Sequence, residues 1–297
     1  MSAEPVRHGI VVGVDGSPPS DAAVAWAARD AALRRVPLTF VHALPIAAAP
    51  AWLDMGLPDD YWAWQKKRGQ EIVAQARDLA NKVTAGGEPL QFAAEVVSGH
   101  SVSTLIDYSH NADLLVVGCR GLGKWGRRLL GSVSASLVRH AHCPVAVIHD
   151  GPQHADDAPV VVGVDGSQAS ELATEIAFDE ASRRGVELVV VHTWNDLDYD
   201  FPDVKWAELK PREDRVVSEQ LAGWCERYPD VPVRRVVQRD RPAYQLVEQS
   251  DGAQLVVVGS RGRGGFPGML LGSVSATVVE SVQTPVIVAR RSAETGS

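Results

Sequence analysis

Short apolar runs rich in β-branched side chains recur along the chain, separated by longer stretches in which apolar positions are spaced for a helix. Residues 10–14 form the first such run and end in Asp15-Gly16-Ser17, a buried strand leading into a turn. Residues 20–35 follow, dense in alanine, with Ser20 as the expected N-cap, Arg34 and Arg35 in the last turn and Pro37 just beyond. These are helix signals. The pattern then predicts strands over 37–44, 92–97, 114–118 and 145–148, alternating with helices over 64–83, 102–110 and 131–141. From residue 160 to 289 the same order returns. The strand runs lack in-out alternation, as expected when helices cover both faces of a parallel sheet. The predicted class is α/β, with doubly wound domains.

The return is a duplication. Val11-Val12-Gly13-Val14-Asp15-Gly16-Ser17 recurs letter for letter as Val161-Val162-Gly163-Val164-Asp165-Gly166-Ser167, and Leu129-Leu130-Gly131-Ser132-Val133-Ser134-Ala135 recurs as Leu270-Leu271-Gly272-Ser273-Val274-Ser275-Ala276. A period near half the chain makes each copy a domain and not one unit of a solenoid. The expected domains are 1–150 and 159–297, joined by a polar linker at 151–158. A length of 297 residues accommodates two cores.

Composition narrows the function classes. With 45% apolar and 22% charged residues the chain reads as an ordinary soluble protein. Lys and Arg number 29 against 37 Asp and Glu, a formal charge of -8, so the basic footprint of a nucleic-acid binder is missing. The acidity sits in the second copy: residues 1–150 carry 14 basic and 14 acidic side chains, and the remainder 15 and 23. Cys119, Cys143 and Cys225 are odd in number and without CxxC spacing, which argues against a disulfide framework or zinc knuckle and for a reducing cytoplasm. No signal-peptide pattern or long apolar run is present, so membrane insertion is not expected.

Ligands of open α/β sheets sit at the carboxyl ends of the strands near the topological switch point. There the first strand ends in Asp15, and the fourth runs into Gly118-Cys119-Arg120-Gly121, nine residues, then Gly131-Ser132 at a helix start. Gly259-Ser260-Arg261-Gly262, nine residues and Gly272-Ser273 reproduce this G-x2-G-x9-G-S spacing. Glycines there allow close backbone approach and positive φ, and the helix N-terminus offers free N–H groups, so a phosphate chain is the natural ligand. Ser132, Ser134, Ser273 and Ser275 are expected to add hydroxyl donors. Asp15 and Asp165 repel phosphate and suit either ribose hydroxyls or a Mg²⁺ on the phosphates. Neither copy carries the GxxxxGK[ST] of a P-loop, and GxGxxG is absent after the first strand.

These paired motifs resemble the universal stress protein family in its ATP-binding branch, over essentially the whole chain and most closely in the mycobacterial tandem form. The resemblance implies a five-stranded parallel sheet in each domain, ordered 3-2-1-4-5, and ATP, with Mg²⁺, as ligand. It implies that Asp15 contacts ribose, that Val41 at the end of strand two bonds adenine through its backbone, and that Gly118, Gly121, Gly131 and Ser132, with Val133 and Ser134 on the same helix turn, hold the phosphates. The matching second set is Asp165, Val191, Gly259, Gly262, Gly272, Ser273, Val274 and Ser275. The last strands, 145–148 and 286–289, would pair the domains into a pseudo-dimer, and family members also form homodimers this way. The implied role is an ATP-binding regulator of growth or survival under stress, of the hypoxia or dormancy type, acting through an unidentified regulatory protein partner. A slow ATP-hydrolysing enzyme and an ATP-stabilised scaffold are the alternatives. Beyond Asp15 and Asp165, no acid, base or arginine finger can be placed near a γ-phosphate, so at most weak hydrolysis is expected.

Within the nine-residue spans, Lys124, Arg127 and Arg128 face a single Arg263 in the second copy, which predicts tighter triphosphate binding at the first site. His140-Ala141-His142-Cys143 has the residue types of a metal cluster, yet a histidine at a helix C-terminus is favoured by the dipole alone. His42 and His192 occupy matching strand ends and suit either nucleotide contact or packing. Cys119 suits a redox-sensitive thiol or a small filler. The aromatic-rich segment holding Trp52, Tyr61, Trp62 and Trp64 suits a lid or an interface.

Overall fold

A computed structural model describes residues 7–45, 59–120, 130–149, 151, 155–194, 206–239, 241–264 and 269–291. The chain divides into two compact units, one built on residues up to Asp150 and the other on Gly151–Arg290. The first contains β1 (Gly9–Gly13), α1 (Pro18–Arg34), β2 (Leu38–Leu44), α2 (Asp59–Val83), β3 (Phe92–Ser98), α3 (Ser101–Ser109), β4 (Ala112–Gly118), α4 (Ser132–His140) and β5 (Val145–Ile148). Its strands are parallel and ordered β3-β2-β1-β4-β5. The second contains β6 (Val160–Gly163), α5 (Gln168–Arg184), β7 (Leu188–Trp194), α6 (Trp206–Arg227), β8 (Val233–Arg239), α7 (Pro242–Ser250), β9 (Leu255–Gly259), α8 (Ser273–Ser281) and β10 (Val286–Ala289). Its order, β8-β7-β6-β9-β10, is the same 3-2-1-4-5 arrangement.

The central strands are buried on both faces, as their unbroken apolar runs require. Ile10, Val11 and Val12 of β1 and Val160, Val161 and Val162 of β6 have no exposed surface. The edge strands depart from that expectation. β3 is largely exposed, and β8 mixes exposed positions with the buried Val237. In the second unit Phe178 is fully buried and stacks on Tyr228 and Trp224, with ring centroids 5.6 and 6.1 Å away.

The helix after β1 starts earlier than its sequence suggests. Ser17, not Ser20, is the N-cap: its backbone is extended and its Oγ accepts from Ser20 N–H at 3.4 Å. Pro18 and Pro19 fill the first helical positions, where no N–H has an intrahelical partner to lose. Ser167 caps α5 the same way, accepting from Ser170 N–H at 3.2 Å.

The two helices end differently. Arg35 closes α1 in the left-handed region (φ 56°, ψ 44°), where the second unit places Gly185 (φ 66°, ψ 37°). A side chain there carries a steric cost that glycine lacks. Arg35→Gly is therefore expected to stabilise the first unit by about 1 kcal/mol in chemical denaturation. The exposed Arg35–Glu88 pair at 3.8 Å offsets little of that when lost.

Candidate functional site

In each unit the central strands β1 and β4, or β6 and β9, end side by side, and a cleft opens at their carboxyl ends. β1 stops at Gly13, opposite Val41, while β2 continues to Leu44, so the last residues of β2 form one wall. β7 overhangs β6 in the same way, with Gly163 opposite Val191. Val41 and Val191 thus lie inside their strands, not at the ends. Their carbonyls already accept from Val14 N–H at 3.0 Å and Val164 N–H at 2.9 Å.

The first cleft has a volume of about 560 Å³ and the second about 400 Å³, within the usual range for small-molecule sites. Asp15, Val41, Gly118, Gly131, Ser132, Val133 and Ser134 all line the first. Asp165, Val191, Gly259, Gly262, Gly272, Ser273, Val274 and Ser275 all line the second. Gly121, the phosphate-loop cations Lys124, Arg127 and Arg128, and Trp52 lie outside the described residues.

The turn after β1 holds its carboxylate in place. Asp15 Oδ1 accepts from Ser17 N–H at 3.0 Å and Ser17 Oγ at 2.6 Å, while Asp15 N–H donates to Ser20 Oγ at 3.2 Å. Asp165 Oδ1 accepts from Ser167 N–H at 2.9 Å, and Asp165 N–H donates to Ser170 Oγ at 3.1 Å. Gly16 and Gly166 make these turns at φ 76° and 77°, a region glycine enters without strain. Asp21, one turn into α1, has its carboxyl pushed above the ordinary value by burial and then by the negative charge of Asp15. This end of the cleft is electronegative and suits hydroxyls or a cation rather than phosphate.

The opposite end presents a helix N-terminus. Gly131 and Gly272 occupy the N-cap positions of α4 and α8, and no side chain caps either helix. The first intrahelical bonds there run from Ala135 N–H to Gly131 carbonyl (2.8 Å) and from Ala276 N–H to Gly272 carbonyl (3.0 Å). The N–H groups of Ser132, Val133 and Ser134, and of Ser273, Val274 and Ser275, precede these bonds and lack intrahelical partners. They carry the positive end of the helix dipole. The side chains of Ser134 and Ser275 have another task than the one expected. Ser134 Oγ donates to the carbonyls of Cys119 (3.0 Å) and Gly131 (3.1 Å), and Ser275 Oγ to that of Gly259 (2.5 Å). They tie the loop to the helix, leaving their backbone N–H groups for an anion.

The motif glycines are also explained differently. Gly118, Gly131, Gly259, Gly262 and Gly272 do not have positive φ. What requires glycine is close approach. A Cβ on Gly118 would lie 2.6 Å from Pro19 carbonyl oxygen, and one on Gly259 2.8 Å from the Ala169 carbonyl. These residues let the strand end touch the first turn of the helix behind it.

The histidines that follow Val41 and Val191 have partners that no local sequence signal marks. His42 Nδ1 lies 2.7 Å from Val14 carbonyl oxygen, and His192 Nδ1 2.8 Å from that of Val164, so each ring pins β2 or β7 to the cleft turn. His192 Nε2 also reaches the buried Glu213 on α6 at 3.2 Å. In the first unit α2 instead brings Gly69 against His42, where a Cβ would lie 2.9 Å from the ring. The apolar walls come from Val14, Val41, Leu105 and Val117 in one cleft and from Val164, Val191, Leu246 and Val258 in the other. Elsewhere, the His142 ring stacks on His110 at 3.6 Å, Cys119 is buried, and Trp62 and Trp64 lie exposed on α2.

Apolar walls, a carboxylate turn and an uncapped helix N-terminus surround one cleft in each half of a tandem α/β chain. The chain belongs to the universal stress protein family, whose profile matches residues 7–149 and again 158–290. Universal stress protein Rv2623 of Mycobacterium tuberculosis strain H37Rv is 53% identical over 296 residues, covering 98% of this chain and 99% of the relative. Universal stress protein Rv2005c of the same strain is 51% identical over 299 residues, covering 98% and 100%. A universal stress protein from Archaeoglobus fulgidus DSM 4304 has a crystal structure that matches with a TM-score of 0.70, at 21% identity over 96% of this chain and 98% of that one. That likeness supports the fold.

Proposed function

We propose that each unit binds one ATP with Mg²⁺, and that the chain is a cytoplasmic nucleotide-holding regulator of growth or survival under stress, acting through a protein partner. One observation carries this reading: the uncapped N-termini of α4 and α8 share a cleft with a carboxylate turn and an apolar wall, in both copies. The helix N–H groups suit the phosphates, Asp15 and Asp165 suit ribose hydroxyls, and the valine and leucine walls suit a base. The phosphates bring the Mg²⁺, which needs few protein ligands. Among the described residues lining each cleft, the only carboxylates are Asp15 and Asp165. A single carboxylate engaged in its own turn favours holding over efficient hydrolysis.

Denaturing the purified protein and counting released nucleotide tests the proposal. Near two ATP per chain, with no appreciable ADP on incubation with Mg²⁺, is the expected result. Sustained ADP production abolished by Asp15→Ala would make the chain an enzyme. A chain with no bound or bindable nucleotide would overturn the reading altogether.

A further inference from the structure

In the second unit the loop leaving β9 folds back over the turn that follows β6. Arg263 N–H donates to Asp165 Oδ2 at 3.1 Å, and Ser167 Oγ donates to Arg261 carbonyl oxygen at 3.3 Å. Between them the Gly262 backbone is pressed so closely on the carboxylate that a Cβ there would lie 2.4 Å from Asp165 Oδ2. The Arg263 guanidinium covers Gly166, where a Cβ would meet Nη2 at 2.5 Å and Gln220 Nε2 at 2.9 Å. Oδ1 of the same carboxylate accepts from Ser167 N–H. Both oxygens therefore hold main-chain donors, and loop backbone shields one of them.

A ribose diol needs an accessible carboxylate edge, since each hydroxyl must bring its hydrogen to an oxygen lone pair. We propose that residues 261–264 form an internal latch, and that a nucleotide engages Asp165 only by lifting Arg263 off it. The inference rests on the nucleotide reading of the cleft and adds its regulation. The latch lowers apparent affinity by the fraction of molecules in which it is closed. Opening it moves two arginines, Arg261 and Arg263, and so couples occupancy of the second cleft to the charge its rim presents. If Arg263 instead served as a phosphate ligand in place, its loss would weaken binding, so the sign of the effect separates the two roles.

Two measurements on the full chain test the latch. In the first, Asp15→Asn silences the first cleft and Mg²⁺-ATP is titrated calorimetrically. Arg263→Ala removes the guanidinium and Arg263→Pro removes the N–H donor, and each is expected to tighten binding at least threefold. Unchanged or weaker binding in both variants overturns the proposal. The second measurement needs no nucleotide. Trypsin cleavage after Arg261 is expected to speed up at least threefold in Asp165→Ala and in Arg263→Pro, with circular dichroism confirming that the units remain folded. Cleavage no faster than in the parent chain overturns the latch by itself. Faster cleavage without Mg²⁺-ATP binding in any variant overturns the nucleotide reading, and the inhibitory role with it.

Discussion

Replacing Asp15 with asparagine is expected to weaken Mg²⁺-ATP binding at the first cleft about 30- to 100-fold while leaving the unit folded. Asparagine retains one carbonyl oxygen, which can still accept from Ser17 N–H and keep the turn. Its other terminal atom is a donor, so the acceptor edge offered to ribose hydroxyls is gone. Hydrogen bonds to a charged group are worth about 1.5–3 kcal/mol, and each 1.4 kcal/mol is a factor of about ten in affinity. Calorimetric titration in an Asp165→Ala chain, which silences the second cleft, isolates the effect. Parent-like affinity would show that Asp15 serves the turn alone. A melting temperature within about 2 °C of the parent would confirm that the loss is not one of folding.

The second large effect is on stability. Gly118→Ala is expected to cost about 1–3 kcal/mol, because the added methyl meets the Pro19 carbonyl at 2.6 Å and the clash is with backbone, not with a side chain that can turn away. For a unit of this size that lowers the melting temperature by roughly 2–10 °C. Gly223→Ala, on the exposed face of α6 about one turn before its end at Arg227, where a Cβ meets nothing within 4 Å, is the contrast and should stabilise by about 0.5–1 kcal/mol. Differential scanning calorimetry on both variants gives the comparison. A Gly118→Ala protein as stable as the parent would mean that β4 and α1 can separate freely.

Much of the fold was legible because its signals are local. The apolar runs of β1 and β6, the turn at Asp15-Gly16-Ser17 and the glycine pair before α4 each lie within a few residues, and the duplication repeats them. The sequence pattern places the cap of α1 three residues late because Ser17 and Ser20 are both competent caps, and only the tolerance of Pro18 and Pro19 for the first helical turn separates them. The reason for glycine at position 118 was hidden for another cause. Close approach depends on which helix lies behind the strand, and spacing along the chain does not say. The His192–Glu213 and Arg263–Asp165 contacts join residues 21 and 98 positions apart and have no local signature. In both cases the matching position in the first copy, or its surroundings, gave no parallel from which to infer them.

The exposed rims of the two sheets differ in one further respect. Along β8, Arg234, Arg235 and Arg239 place three positive charges on a seven-residue strand, whereas β3 offers only Glu95 among Phe92, Val96 and Val97. Strands with open edges are templates for pairing with another chain, and charge is a common deterrent. A second copy approaching through its own β8 meets the same row of arginines, although Glu187 and Asp214 offset two of them at 3.2 and 3.5 Å, and a pair of β3 strands meets no such row. When the protein is concentrated or partly unfolded, aggregation should begin at the first unit, and a lysine in place of Ala93 or Ala94 would raise its solubility.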